Sequence, residues 1–179
     1  MPTDPTDRLI RLRTRFALLD TNGDGHLQGD DFALLADRVL DSLSADRDSA
    51  KAHALTQGCR TFWQGLAAAC DRDGDATVTF QEYAAAIPDA AHFDQYGSPY
   101  ARALVALADT DDDGQVEQGE FIACMTAIGF APPHVRQLFA ALAGQRGRIT
   151  TDAWSAAIRD YYVSDSANTP GQLLANQPA

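Results

Sequence analysis

Apolar residues recur along this chain at three- and four-residue intervals, in segments that short polar loops separate. That spacing places side chains on one face of an α-helix, so the pattern predicts a protein made of helices. The first helix is expected to be capped by Thr6 and to end at Asp20, where turn-forming sequence begins. The other helices are expected over about residues 29–43, 47–69, 80–87, 98–108, 118–128, 132–143 and 151–162.

The predicted helices follow one another as helix, loop, helix, four times over, and this internal repeat sets the expected organisation. We expect a compact, all-α fold in which the four units form two pairs. The first pair is assigned to residues 1–88 and the second to residues 99–162. An irregular linker is expected over residues 89–98, and a loose polar tail over residues 163–179.

The negative charge of the chain is concentrated in three of the predicted loops. The 179 residues carry 25 Asp and Glu against 14 Lys and Arg, a formal net charge of −11. The windows 20–31, 71–82 and 109–120 hold 14 of those acids and a single base, so the rest of the chain is close to neutral. An acidic protein repels nucleic-acid phosphates, and no apolar run approaches the length of a membrane span. The loops therefore indicate cations as ligands.

The third window has the residue spacing of a calcium-binding loop. Such a loop supplies side-chain oxygens from positions 1, 3 and 5, a carbonyl from position 7 and a bidentate carboxylate from position 12, with a sharp turn at position 6. The expected ligands are Asp109, Asp111, Asp113, the Gln115 carbonyl and Glu120, with Glu117 at position 9. Because the match is complete, we expect this loop to bind calcium most tightly.

The first window matches the same pattern with one departure. Its expected ligands are Asp20, Asn22, Asp24, the His26 carbonyl and Asp31. Asp31 stands at position 12, where Glu is usual, and its side chain is one methylene shorter. One oxygen rather than two is then expected to reach the ion, which lowers the coordination number and favours competition by the smaller Mg²⁺.

The second window departs from the pattern at its turn. Its expected ligands are Asp71, Asp73, Asp75, the Thr77 carbonyl and Glu82. Ala76 occupies position 6, where Gly is usual because the backbone there has a positive φ. A residue with a side chain in that conformation costs about 1–2 kcal/mol. We therefore expect a weakened site rather than an inactive one.

A fourth unit keeps the apolar framework of such a loop without its ligands. Position 8 is aliphatic in all four loops, at Leu27, Val78, Val116 and Ile149. Between residues 142 and 153, the ligand positions 1, 3, 5 and 12 hold Leu142, Gly144, Arg146 and Ala153. No carboxylate is available there, so we expect this unit to be vestigial and structural. It is expected to pair with the third loop through Ile149 and Val116.

With these loops, each acidic one followed by an aromatic residue, the chain resembles the EF-hand superfamily over about residues 5–162. The loops begin at residues 20, 71, 109 and about 142, so the first gap is much the longest. That spacing, with a long helix in the second unit, three working loops and a vestigial fourth, is similar to the sarcoplasmic calcium-binding protein and calerythrin-like group. The resemblance implies a compact fold with two facing EF-hand pairs, and a calcium-buffering or signal-modulating role. The residues themselves indicate up to three Ca²⁺ sites.

Three functions remain open from the sequence. A calcium sensor usually opens a methionine-rich groove for its targets, but this chain has two Met, of which only Met125 lies in a predicted helix. This favours an intracellular calcium buffer or compact signal modulator. The alternative is a sensor that exposes an apolar surface and regulates a target protein of unknown identity. The third is a carrier of a hydrophobic small molecule, with a cavity lined by Trp63, Trp154, Tyr161 and Tyr162.

Other residues of known reactivity do not indicate further chemistry. The histidines at 26, 53, 92 and 134 lie in separate segments outside any nucleophile or zinc motif, so no enzymatic activity is expected. The cysteines at 59, 70 and 124 lack C-x-x-C spacing and are expected to be buried thiols in a reducing compartment. The N-terminus has no signal-peptide pattern. We therefore expect a cytoplasmic, monomeric protein whose assigned partner is calcium.

Overall fold

The computed structural model describes residues 4–86 and 88–164 together with Leu174, so most of the expected tail lies outside the described residues. The described chain is largely helical, which confirms the all-α prediction. Its helices are α1 (Pro5–Leu19), α2 (Gly29–Ser42), α3 (Ala50–Cys70), α4 (Phe80–Ala86), α5 (Ala90–His92), α6 (Ser98–Ala108), α7 (Gln118–Ile128), α8 (Pro132–Ala143) and α9 (Thr151–Val163). A π-helix covers Phe93–Gly97 and a 3₁₀ helix covers Gly144–Arg146. No helix in these ranges is both long and apolar enough to cross a membrane.

Short antiparallel strands join the loops in two pairs. The strands are β1 (His26–Leu27), which pairs with β2 (Val78–Thr79), and β3 (Gln115–Val116), which pairs with β4 (Ile149–Thr150). Leu27 lies opposite Val78, and Val116 lies opposite Ile149. All four side chains are fully buried. The aliphatic residues at position 8 thus join the loops as the sequence predicts, including the third to the vestigial fourth.

Helix α3 lies at the centre of the molecule because it packs against both pairs. It contacts α2 of the first pair and, most extensively, α6 of the second. The ring of Phe62 on α3 meets Phe32 of α2 edge-on and stacks on Tyr100 of α6, with centroid distances of 5.6 and 5.7 Å. Tyr162 of α9 packs edge-on against the same ring. One hydrophobic core therefore runs through all four units.

Two buried glycines let α3 approach its neighbours closely. A Cβ atom at Gly58 would lie 2.8 Å from the Cα of Tyr100, which belongs to the backbone of α6. A Cβ atom at Gly65 would overlap the ring of Tyr96 in the π-helix. The contact between the two pairs therefore depends on the absence of side chains at these positions of α3.

The segment 89–98 is helical, so the prediction of an irregular linker there is wrong. Asp89 caps α5 by accepting the His92 N–H, and the chain continues through the π-helix into α6. His92 Nε2 lies 2.9 Å from the Gly65 carbonyl, and Phe93 is buried. Contacts with α3 and the cap at Asp89 therefore hold this segment in helical form, and the contacts with α3 cannot be read from its local sequence.

Two helices begin at residues other than those predicted. The carboxylate of Asp4, rather than Thr6, caps α1, which begins at Pro5. The hydroxyl of Ser49 caps α3, which therefore begins after that residue instead of near residue 47. Arg47 lies before the helix and forms salt bridges to two acids on α2. In both cases the helix begins directly after the residue whose side chain accepts a backbone N–H of its first turn.

The three cysteines are free and buried, as predicted. Burial raises the pKa of Cys59 and of Cys124 to about 12, and that of Cys70 to about 11. The thiols are therefore protonated at neutral pH and act as small apolar side chains of the core.

Replacing Gly58 with Ala is expected to destabilise the protein, although Ala usually favours a helix. The added methyl would force α3 and α6 apart, and overpacking of this kind costs about 1–3 kcal/mol. Urea unfolding at saturating calcium measures the loss. Gln57→Ala is the control because that side chain is exposed on the same helix. Equal stability of the two variants would contradict the close contact at Gly58.

Candidate metal centre

The backbone of the three acidic loops repeats one conformation. Positions 4 and 6 have a positive φ in each loop, a conformation that Gly adopts readily. The residues concerned, with φ between 58° and 87°, are Gly23 and Gly25, Gly74 and Ala76, and Asp112 and Gly114. The turn at position 6 lies where the motif predicts it, Ala76 included. The positive φ at position 4 is not part of the motif, although Gly23 and Gly74 signal it in the sequence.

The carboxylate at position 1 organises each loop. In the first loop, Asp20 accepts the N–H groups of residues 23–25 at distances of 2.8–3.1 Å. Asp71 and Asp109 accept N–H groups from the same stretch of their own loops. These donors compensate part of the negative charge and curve the backbone around one point. The side chains at the other ligand positions then project from a loop whose shape is already set.

The second loop brings three of its expected ligands together. Carboxylate oxygens of Asp71, Asp73 and Glu82 lie within 4.8 Å of one another. Calcium holds oxygen ligands at 2.3–2.6 Å, so oxygens up to about 5 Å apart are able to share one ion. The N–H groups of Thr79 and Arg72 donate to Glu82, one to each oxygen, and these bonds lower its pKa. This carboxylate is thus held in its charged form, and the cluster fits a hard divalent cation.

The acid at position 12 of the first loop is shorter than that of the second loop and lies in a different environment. Asp31 is fully buried, and its two oxygens accept the N–H groups of Gln28 and Asn22 at 2.8 and 3.1 Å. Burial is the main cause that raises its pKa. Within the described residues, Asp31 does not converge with Asp20 and Asp24 into a trio like that of the second loop. The main chain of the loop therefore engages the short side chain from both sides.

The third loop gathers Asp109, Asp111 and Asp113, whose carboxylate oxygens lie within 4.8 Å of one another. Glu120, the expected ligand at position 12, is not part of this trio. Asp109 is buried, whereas Asp111 and Asp113 are exposed. Three of the four expected side-chain ligands are thus in place around one point, and they also fit a divalent cation.

Two basic side chains from other units contact the third loop. Lys51 of α3 donates a hydrogen bond to the Asp109 carbonyl at 2.6 Å. Arg148 of the fourth unit lies 3.2 Å from Asp113 and 3.5 Å from Glu117. The spacing of the calcium motif does not indicate either residue, because both come from outside the loop.

The vestigial loop differs in backbone as well as in composition. Helix α8 continues to Ala143, and the 3₁₀ helix then occupies the first part of the loop. The described residues of this loop contain no cluster of metal-binding side chains. Ile149 is nevertheless buried opposite Val116. The unit therefore retains the pairing that supports the third loop, as the sequence predicts.

Comparisons with known sequences agree with this geometry. A family model described as EF hand matches residues 12–36, which include the whole first loop. Calerythrin from Saccharopolyspora erythraea is 23% identical over 159 residues, which cover 85% of this chain and 90% of calerythrin.

Comparisons with solved structures show the similarity at the level of the fold as well. A calcium-binding protein from Streptomyces coelicolor, described as acting in prokaryotic calcium-mediated regulation, is 30% identical and has a TM-score of 0.77. That match covers 85% of this chain and 95% of the Streptomyces protein. A sarcoplasmic calcium-binding protein from amphioxus is 19% identical, with a TM-score of 0.67 over 98% of this chain and 99% of the other, and shows the same fold. Both of these solved structures are of calcium-binding proteins.

Replacing Ala76 with Gly is expected to stabilise the second loop, because Gly adopts the φ of +65° without the strain that Ala carries. We expect a gain of about 1 kcal/mol in the free energy of unfolding, measured by urea titration in chelator. Calcium binding by this loop should also tighten.

The matched control is Gly25→Ala, at the same position of the first loop. There φ is +87° and a Cβ meets nothing within 4 Å, so the substitution adds backbone strain without a clash. This variant should lose stability. A change in the same direction for both variants would show that the conformation at position 6 does not limit these loops.

Proposed function

Since this chain belongs to the EF-hand calcium-binding proteins, in the group of calerythrin and the sarcoplasmic calcium-binding proteins, we propose that it is an intracellular calcium buffer or compact signal modulator with three sites. The observation that supports this most directly is the convergence of three carboxylates in each of two loops. The first loop shares their backbone conformation, which supports a third site.

We assign the ligands by their position in each loop. Side-chain oxygens at positions 1, 3, 5 and 12 and the carbonyl at position 7 would hold the ion. These residues are Asp20, Asn22, Asp24, His26 and Asp31; Asp71, Asp73, Asp75, Thr77 and Glu82; and Asp109, Asp111, Asp113, Gln115 and Glu120. Bound calcium would neutralise the repulsion between the gathered carboxylates, so its binding free energy would also stabilise the fold.

The three sites are proposed to differ in affinity. The third loop has the most acids and glycine at its turn, so it should bind most tightly. The second should be weakened by the strain at Ala76. The first should be the most open to Mg²⁺, because Asp31 is one methylene shorter than the usual Glu and should offer the ion one oxygen rather than two.

The position of the methionine favours a buffer over a sensor. Met125 is 2% exposed and lies in the core, where it lines a small cavity with Tyr100 and Trp154. A methionine that serves target binding must reach a flexible apolar surface. The burial of Met125 in a core that runs through all four units suits a protein that stays compact.

A sensor is the second candidate because of one surface on α1. Leu9 and Ile10 are the large apolar side chains that are exposed among the described residues, at 44% and 53%. Ile10 borders a groove of about 820 Å³ whose apolar walls include Phe16 and Phe130. An amphipathic target helix would find apolar contacts there.

A carrier function has little support from the cavities. The cavity beside Trp154, Tyr161 and Tyr162 has a volume of about 20 Å³, which is room for about one water. Trp63 does not line it and packs on Phe32 instead. Two polar groups at this cavity, Trp154 Nε1 and the Tyr161 hydroxyl, have no hydrogen-bond partner among the described residues. These features suit a buried water better than a large organic ligand.

Glu120→Gln is expected to remove the tightest phase of a calorimetric calcium titration, weakening the third loop at least tenfold, about 1.4 kcal/mol. Asp112→Asn is the control within the same loop, because Asp112 stands at position 4 and pairs with Lys51 instead of pointing to the ligand cluster. Its loss of one exposed charge should change the affinity less than threefold. Persistence of the tightest phase in Glu120→Gln would overturn the ranking of the sites.

A calcium titration in millimolar Mg²⁺, followed with a hydrophobic dye, separates a buffer from a sensor. We expect dye fluorescence to stay level or fall as calcium binds, because a buffer closes its core. A rise would instead support the sensor. If Ile10→Ser abolished that rise, the groove on α1 would be the surface that calcium exposes.

A further inference from the structure

The third loop is the only acidic loop whose carboxylates form salt bridges among the described residues. These pairs join Lys51 to Asp112, and Arg148 to both Asp113 and Glu117. Both cations come from other units of the fold. The loop that gathers the most negative charge thus carries positive charge supplied from outside.

The position of Arg148 follows from the pairing of the two loops. In the antiparallel register, Gln115 lies opposite Thr150 and Val116 opposite Ile149. Extending that register by one residue would set Glu117 opposite Arg148, in agreement with the 3.5 Å between their charged groups. Opposite charges at facing positions attract each other across such a ladder. The vestigial loop therefore places its guanidinium beside the third loop through the same strand pairing that makes it a structural partner.

The guanidinium contacts an oxygen that the third loop needs for its proposed site. Arg148 lies 3.2 Å from Asp113 Oδ2, and Asp113 belongs to the converging trio. The other oxygen, Asp113 Oδ1, accepts the Gln115 N–H at 2.9 Å. Both oxygens of this carboxylate thus have a donor from the protein. A divalent cation that used Asp113 would sit close to the positive charge of Arg148.

We propose that Arg148 is a built-in competitor of calcium at the third loop. It stabilises the ion-free loop by neutralising part of the repulsion between Asp113 and its neighbours, and it lowers the calcium affinity of that loop. The vestigial unit thereby sets the affinity of its working partner. This inference rests on the proposed calcium site in the third loop.

Lys51 has a different role because of the atoms it contacts. Its ammonium group bonds to the Asp109 carbonyl and to Asp112 at 2.8 Å. Asp112 stands outside the ligand positions, at the φ of +58°. Lys51 therefore supports the backbone of the loop, whereas Arg148 occupies a ligand oxygen.

The size of the effect follows from Coulomb's law. A single charge about 6 Å from a divalent ion in a solvated site changes its affinity by roughly three- to tenfold, and salt reduces this. Arg148→Gln should therefore tighten the third loop by roughly three- to tenfold at low salt, and by less in 0.5 M KCl, where about 4 Å is the screening distance. In chelator, the same variant should melt at a lower temperature than the wild type.

The test is calorimetric calcium titration of the full chain carrying Arg148→Gln, with Arg146→Gln as control. Arg146 has the same charge and lies two residues away in the same loop, but it forms no salt bridge to the third loop in the described structure. Its loss should change the affinity less than twofold. Arg148→Lys, which keeps the charge, should retain most of the wild-type behaviour. In the Glu120→Gln background the gain from Arg148→Gln should disappear, which assigns it to the third loop.

Two results would overturn the inference. An unchanged affinity in Arg148→Gln would show that the contact has no influence on the ion. A weaker affinity would show that Arg148 orders Asp113 and Glu117 for calcium instead of competing with it. Failure of the proposed function is distinguishable, because the wild type would then show no phase sensitive to Glu120→Gln.

Discussion

Mutual repulsion among carboxylates is the constraint that shapes this molecule. Two of the loops hold three carboxylates with oxygens within 4.8 Å of one another, an arrangement that like charges oppose. Backbone N–H groups donate to the aspartate at position 1 of each of these loops and offset part of this repulsion. That arrangement requires positive φ values at two loop positions, which explains why glycine recurs there.

Repulsion between carboxylates in the loops destabilises the fold, and the packing of the helices must offset it. In each acidic loop, the residue before position 1 is the buried end of a helix: Leu19, Cys70 or Ala108. The buried strand residues at position 8 anchor the other side of the loop. Each loop is thus held between two points of a core that α3 shares between both pairs. The close approach at Gly58 therefore affects the loops of both pairs through the same packing.

The sequence predicts those features that depend on local spacing. The acidic loops, the aliphatic residue at position 8 of each and the positive φ of Ala76 all follow from residues within a 12-residue window. Features that depend on contacts between residues distant in sequence are not predicted by local spacing. The helical segment from α5 to the start of α6 packs against α3, and Arg148 reaches Asp113 only because two loops pair. The motif indicates which residues are the expected ligands, but it does not show which charged residues outside the loop contact those ligands.

The three acidic loops share one ligand pattern but differ from one another in three ways. The first has a shorter acid at position 12, and that acid is fully buried. The second keeps a charged glutamate and accepts backbone strain at Ala76. The third adds cations from α3 and from the vestigial unit. Because the length of an acid, the strain of a turn and an added cation each affect a binding loop differently, equal ligand counts do not imply equal affinities. The acidic loops are therefore better described as three distinct variants on one core than as one motif repeated three times.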